Sequence, residues 1–275
     1  LIMMAKSTMK NLQLTATPWL NLWCWIGILA STVAGASPVE SGNAPPIPAH
    51  ESTYRIQYNG RSVGEATFVL EKANETVWHV KTQTKPTSML AKLAASSVTQ
   101  ASHFVWRLDS AQPTVLPLTY HNVSKEPFRT RYWQHRYDWE AMVSATTTHE
   151  GEQEIALSPG LLDPLTLRLQ LALDLQTDSD PAKDRNYLVL DRDDVENQRM
   201  EYQQHTQIKV PAGCFATEHF YRFRKQGSAR NYDLWVAPQM HWLPVKIVQS
   251  DGGRTIEMAL EKSTLLDAEP ICTDR

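Results

Sequence analysis

The chain has 275 residues, of which 42% are hydrophobic and 21% are charged, and its formal net charge at pH 7 is −3. This composition excludes a disordered chain, and the mild charge argues against nucleic acid or an anionic membrane surface as a partner. The nine histidines and three cysteines have no metal-ligand spacing, so we expect neither a metal site nor a cofactor.

Residues 1–36 have the pattern of an export signal. Two lysines precede an uncharged stretch with a Trp-rich apolar centre, and small residues at 34–36 are typical of a signal peptidase site. Cleavage after Ala36 predicts a protein of the Gram-negative periplasm that contacts the membrane only transiently. The remaining chain has 25 basic and 30 acidic residues, a net charge of −5. Alternatively, residues 11–33 stay in place as an inner-membrane anchor.

The rest of the chain is predicted to form one domain. Residues 37–50 are rich in proline and predict a linker, residues 51–265 a single β-rich domain, and residues 266–275 a C-terminal tail. The exported part has two cysteines, Cys214 and Cys272, which an oxidising compartment favours as a disulfide worth roughly 4 kcal/mol. Two unpaired thiols are the alternative.

Alternation of apolar and polar residues predicts about a dozen short strands. Asn59-Gly60, between two such stretches, is typical of a tight hairpin turn. The acidic run 191–197 lacks the glycine and the terminal glutamate of a calcium loop and is interpreted as a hairpin turn. The predicted strands are 53–58, 63–70, 77–84, 98–108, 115–123, 128–139, 141–148, 187–190, 199–210, 215–225, 229–236, 243–249 and 254–260. They predict a mainly β fold, with a curved, mostly antiparallel sheet in the form of a half-open barrel or clamp.

Two segments are predicted to be helical. Residues 88–95 are rich in helix formers and indicate one short helix. In the second segment, 161–176, leucines occupy every odd position from 165 to 175, which by periodicity alone favours a strand. Asp163-Pro164 is nevertheless typical of a helix start, and β-branched residues are almost absent, so we predict a central helix.

This helix would be apolar on two faces. Leu167, Leu171 and Leu175 lie largely opposite the other three leucines, so one face can pack on the sheet while the other needs a second cover. More sheet, a ligand or a partner protein are the candidates for that cover.

A basic and aromatic stretch, 220–225, is the second candidate contact surface. Alternation places Arg222 and Arg224 together, opposite Tyr221 and Phe223, where the arginines could bind an anionic headgroup or glycan phosphate. The alternative is an ordinary solvated strand face.

Four stretches resemble the DUF3108 family of exported bacterial proteins of unknown function. Together they cover about residues 51–265. Residues 54–66 resemble its first hairpin and 161–166 its helix start. Residues 210–215 resemble its Pro-x-Gly turn and 234–247 its late hairpin. The resemblance implies a curved β architecture, similar at the level of fold to periplasmic lipoprotein carriers. It implies no activity and no pairing for Cys214.

Three functional hypotheses follow. The first is a non-enzymatic periplasmic protein that binds an apolar or lipidic envelope molecule, or a partner protein, on its curved sheet. The second is a hydrolase of envelope glycans or peptides that uses paired carboxylates such as Glu65, Asp138 or Asp163. The third is a purely structural subunit of an envelope complex, which predicts a broad exposed apolar patch without a pocket. No nucleophile motif occurs, so no catalytic residue is assigned.

Overall fold

The structure is a computed structural model that describes residues 44–87, 97–108, 113–126, 128–223, 230–268 and 270. The predicted signal, the membrane-anchor alternative and the short helix at 88–95 all lie outside these ranges, as do Arg224 and Cys272. Within them, no helix combines the length and the apolar character needed to cross a bilayer.

Fourteen strands form one antiparallel sheet. Its spatial order is β8-β7-β6-β5-β4-β3-β2-β1-β14-β13-β12-β11-β10-β9, so β1 pairs with both β2 and β14 and joins the two halves of the chain. The predicted mainly β, antiparallel class is confirmed. The strands are β1 His50–Tyr58, β2 Arg61–Lys72, β3 Val77–Pro86, β4 Ser97–Arg107, β5 Thr114–Glu126, β6 Arg129–Asp138, β7 Val143–Thr148, β8 Gly151–Ala156, β9 Arg185–Asp191, β10 Asp194–Val210, β11 Gly213–Phe223, β12 Arg230–Val236, β13 Pro244–Asp251 and β14 Arg254–Ser263.

The first hairpin shows how local sequence sets the register. Asn59 and Gly60 both adopt positive φ, 45° and 77°, as a two-residue turn between right-twisted strands requires. The Asn59 side chain also accepts a hydrogen bond of 2.8 Å from the Thr255 amide, while its own amide donates to the Thr255 carbonyl at 2.9 Å. The turn therefore fixes the β1–β2 register and ties it to β14.

The sheet curves around a helix, α1, which spans Thr166–Thr177. Both halves of the strand order, on either side of β1, contribute to its cover. From β5, the Val115 amide donates to the Gln170 side chain at 2.7 Å, and from β9, the Tyr187 hydroxyl donates to Asp174 at 2.7 Å. The sheet is not closed, because β8 and β9 do not pair with each other. An isolated parallel bridge between Leu162 and Val189 instead joins the chain before α1 to β9.

All six odd-numbered leucines of this segment are buried. Those of one predicted face have exposed fractions of 0–2%, and those of the opposite face 1–4%. The helix has no polar face because the sheet covers it on both sides. Of the three candidates for the second cover, more sheet is therefore the one that covers most of the helix surface.

Three local details differ from the prediction. Strand β8, Gly151–Ala156, was not predicted, because its charged residues show no apolar alternation and it lies at the edge of the sheet. The predicted turn at 191–197 is only two residues long, and β10 already begins at Asp194. The predicted linker also ends earlier, since Ile47 is fully buried in the core and His50 starts β1.

Candidate functional site

The chain before α1 is held by a buried carboxylate. Asp163 is 0% exposed; its Oδ1 accepts the amides of Leu165 and Thr166 at 2.8 and 2.9 Å, and its Oδ2 accepts the Ser102 hydroxyl at 2.7 Å. The Asp163 carbonyl accepts the first helical bond, from Leu167, at 2.9 Å. Burial raises the pKa of Asp163 from 3.8 to about 6, against the opposing effect of these hydrogen bonds. Asp163 is therefore a helix cap, as predicted from Asp163-Pro164.

The three carboxylates of the hydrolase hypothesis serve separate structural purposes. Asp138 caps the turn after β6 by accepting the amides of residues 140 and 141 at 3.0 and 2.9 Å. Glu65 is exposed on β2, between Arg55 and Lys85 in the register of the sheet. Asp163 is enclosed beneath α1. Nothing in this arrangement pairs these three carboxylates across a cleft, so they do not form the acid–base pair that the hypothesis requires.

A cavity of about 180 Å³ lies between α1 and the sheet. It brings together three of the predicted contact residues, Leu167 and Leu171 from the helix and Arg222 from β11. The fourth, Leu175, is 3% exposed and does not line the cavity. The complete lining is Gln100, Pro164, Leu167, Arg168, Leu171, Asp191, Gln198, Met200, Arg222, Tyr232 and Leu234.

The cavity has walls from distant parts of the sheet. Gln100 comes from β4 and Leu234 from β12, and five strands separate β4 from β12 in the sheet order. Only the curvature of the sheet around α1 brings these strands to one site. The cavity is therefore a product of the whole fold and not of a local motif.

Arg222 faces this cavity instead of forming a solvated strand surface. Its side chain is 19% exposed and lies 3.8 Å from the Glu196 carboxylate. The guanidinium carbon is 5.6 Å from the centre of the Tyr232 ring, a cation–π distance. Both contacts orient the arginine along the β10–β12 wall.

Two further polar side chains of the lining have groups without a hydrogen-bond partner within the described part of the chain. Gln198 is 3% exposed, and its Oε1 is buried without a donor. The Arg168 side chain, on α1, makes no hydrogen bond or ion pair in these ranges. Gln198 was not predicted as a site residue because the preceding residues were interpreted as a turn. Arg168 was not predicted because the leucines of that helix give the stronger signal. The signal that could have found Arg168 is its position as a lone cation among leucines.

On the β4–β6 side, the cavity adjoins a buried polar cluster. Gln100 donates to the Tyr120 hydroxyl at 2.8 Å, and His135 stacks on Tyr120 with ring centres 5.6 Å apart. Desolvation lowers the pKa of His135 to about 4 and raises the pKa of the Tyr137 hydroxyl well above its ordinary value. His135 is thus a neutral ring at pH 7. This wall offers uncharged hydrogen-bonding groups.

No metal centre emerges from the described ranges, where no three His, Cys, Asp or Glu side chains come close enough together to hold an ion. The histidines take part instead in ordinary strand contacts. His219, for example, stacks on Trp235 with ring centres 4.2 Å apart and bonds to Asp233 at 2.9 Å.

The C-terminal tail returns to the turn that precedes Cys214. The Cys214 amide donates to the Pro270 carbonyl at 2.8 Å, and Cys214 is 5% exposed. A Cβ on Gly213 would lie 2.5 Å from the same carbonyl, so only glycine permits this approach. Pro270, two positions before Cys272, is thus adjacent to Cys214, and the disulfide itself stays a prediction.

We expect the oxidised protein to have a mass two hydrogens below that of the reduced chain. A tryptic digest without reductant should contain the peptide of Cys214 linked to that of Cys272. The Cys214→Ser variant is the control and should show neither feature. Quantitative alkylation of both thiols in denatured, unreduced protein would contradict the prediction.

Comparison with known proteins gives a family and a fold. A family model described as "Protein of unknown function (DUF3108)" matches residues 53–259. One similar solved structure is described as a beta-barrel-like protein of the domain of unknown function DUF1849 from Brucella abortus. It shares 9% identity and a TM-score of 0.51, over 80% of this chain and 98% of that one, which shows likeness of fold alone. No curated protein matches.

Proposed function

The chain belongs to the DUF3108 family, and from this premise we propose that it is a non-enzymatic envelope protein that binds a small, partly apolar ligand between α1 and the sheet. The observation that carries the proposal is the cavity of about 180 Å³ in which Leu167, Leu171 and Arg222 meet Gln198, whose Oε1 has no hydrogen-bond donor among the described residues. Interiors are normally packed without such voids, and buried polar atoms are normally hydrogen-bonded.

The size of the cavity limits the ligand. A dry cavity of about 150 Å³ accommodates one benzene-sized molecule, so about 180 Å³ suits a ligand of six to eight non-hydrogen atoms. The leucines of α1 fill the remaining interior. A complete lipid does not fit this cavity. We therefore restrict the lipidic ligand class expected from the sequence to short-chain molecules.

The proposed location is the periplasm. Its support is the signal pattern of residues 1–36, and the Cys214–Pro270 contact is compatible with a disulfide in an oxidising compartment. Retention of residues 11–33 as an inner-membrane anchor is the alternative, and it would leave the same domain facing the same compartment.

The structural-subunit hypothesis has less support. Four large hydrophobic residues are exposed within the described ranges, at 58, 128, 132 and 256. Tyr58 and Ile256 are cross-strand neighbours, and two such side chains cover far less area than the several hundred Å² typical of a permanent docking patch.

Filling the cavity should abolish ligand binding. We expect native mass spectrometry of protein released from the periplasm to show an added mass of about 80–140 Da, the mass of a ligand with six to eight non-hydrogen atoms. Leu171→Trp should lose this mass because the indole occupies the cavity, at a stability cost of about 1–3 kcal/mol.

Leu171→Met is the matched control, since it nearly preserves side-chain volume and should keep the added mass. Circular dichroism checks that both variants are folded. A wild-type protein that carries no added mass, and that binds no short-chain probe in solution, would contradict the proposal.

A further inference from the structure

This inference rests on the proposed function and concerns the chemistry of the ligand. We propose that the ligand carries an anionic group, a carboxylate or a phosphate, on a short apolar chain, and that Arg168 binds this group. The proposal depends on the contrast between Arg168 and the other charged residues inside the sheet.

Two charged residues lie on α1, and only one has a partner. The Asp174 carboxylate accepts hydrogen bonds from Gln170 and Tyr187, both at 2.7 Å. The Arg168 side chain, which is half-buried, makes no hydrogen bond or ion pair within the described ranges. A guanidinium partly withdrawn from bulk water without a counter-ion is costly, and no side chain in those ranges offsets this cost.

Arg168 borders two spaces, and only the larger one has a carboxylate, that of Asp191, in its lining. Toward β1, β2 and β13 it borders a small void of about 20 Å³ lined by residues such as Phe68, Ile247 and Met258. Toward β10–β12 it borders the larger cavity. Arg168 therefore lies between the small void and the larger cavity, and only the larger cavity can hold a ligand.

The carboxylates at the larger cavity have partners other than Arg168. Its lining has two arginines, Arg168 and Arg222, and one acid, Asp191. Glu196 lies near Arg222 at 3.8 Å, and Asp191 already takes part in an interaction of its own. Arg168 is thus the cation that remains available. Guanidinium binds carboxylate and phosphate oxygens with two parallel hydrogen bonds, which gives both affinity and orientation.

Gln198 supplies a second polar contact. This residue lines the cavity and is 3% exposed, and its Oε1 has no hydrogen-bond donor among the described residues. An amide can donate to an anionic oxygen or accept from a protonated one. The apolar part of the ligand would lie against Leu167, Leu171 and Leu234, which line the same space.

The test compares ligands of seven or eight non-hydrogen atoms that differ in charge. Hexanoate, propyl phosphate and hexan-1-ol are titrated into the full chain at pH 7.5, and amide NMR shifts report the dissociation constants. We expect at least one of the two anions to bind ten or more times more tightly than the alcohol. Arg168→Gln should reduce anion affinity at least tenfold and leave that of the alcohol unchanged. Arg61→Gln, at an exposed position of β2, is the matched control and should change neither.

The possible results separate the two proposals. Equal binding of all three probes, or loss of affinity for the alcohol as well in Arg168→Gln, would overturn the anion inference and leave the cavity as a ligand site. Binding of neither the anions nor the alcohol would overturn both. Tighter binding of hexanoate favours a carboxylate as the anionic group, and tighter binding of propyl phosphate favours a phosphate; either result supports Arg168 as the anion-binding residue.

Discussion

Replacement of Asp163 by alanine is expected to lower the free energy of unfolding at pH 7 by about 4–5 kcal/mol. The carboxylate accepts three hydrogen bonds at a site without solvent exposure, from two amides at the start of α1 and from Ser102 on β4. Alanine would leave all three donors buried and unsatisfied, and would also remove the helix cap. Urea denaturation followed by circular dichroism measures the change.

Two other variants identify the cause. Asp163→Asn keeps the acceptor for both amides and can donate to the Ser102 oxygen, so we expect a change within about 1 kcal/mol at pH 7. Ser102→Ala removes a single hydrogen bond and should cost about 1–2 kcal/mol. Equal losses in Asp163→Ala and Asp163→Asn would contradict the capping role.

The raised pKa of Asp163 also predicts a pH dependence. Between pH 3.8 and about 6 the folded protein holds a proton on Asp163 that the unfolded chain releases. The contribution of this group to stability is therefore complete below that window and is lost as the pH rises through it, by roughly 2–3 kcal/mol in total. Asp163→Asn lacks this titration. The difference in unfolding free energy between wild type and Asp163→Asn should accordingly favour the wild type at pH 4 and nearly vanish at pH 7.

The leucines on the two faces of α1 are expected to contribute similar stability. Leu169 on one face and Leu175 on the other are 0% and 3% exposed, because the curved sheet covers both sides. Alanine at either position should cost about 3 kcal/mol through lost apolar burial and the cavity that remains. Chemical denaturation of the two variants provides the comparison.

Gln176→Ala, at an exposed position of the same helix, is the control and should cost less than about 1 kcal/mol. A loss below about 1 kcal/mol for Leu175→Ala, beside about 3 for Leu169→Ala, would mean that the sheet packs tightly on one face only. In that case the second face would need a cover from outside the chain, and the account of the fold would be wrong.

Much of the fold could be predicted from local residue patterns. The Asn59-Gly60 turn and the Asp163-Pro164 helix start were identified correctly because each depends on the conformational preference of one or two residues. The strands with a buried face were found for a similar reason, since one side of each packs in the core. Strand β8 was missed because an edge strand of polar residues has no such signal.

The candidate site could be predicted only in part. Leu167, Leu171 and Arg222 were identified individually, but their meeting in one cavity depends on the curvature of the sheet around α1. Gln100 and Gln198 come from opposite sides of that curve, and a single sequence contains no measure of the curvature. Arg168 can be recognised as a candidate binding residue only when its surroundings are known. The lack of a counter-ion among the described residues is a property of the packed structure.

The most direct test of the account is a crystal structure of the full chain grown with hexanoate. We expect ligand density between α1 and strands β10–β12. The carboxylate should be hydrogen-bonded to the guanidinium of Arg168, and the alkyl chain should pack against Leu167 and Leu171. A cavity filled by the protein's own side chains, or hexanoate bound only on the outer surface, would contradict it.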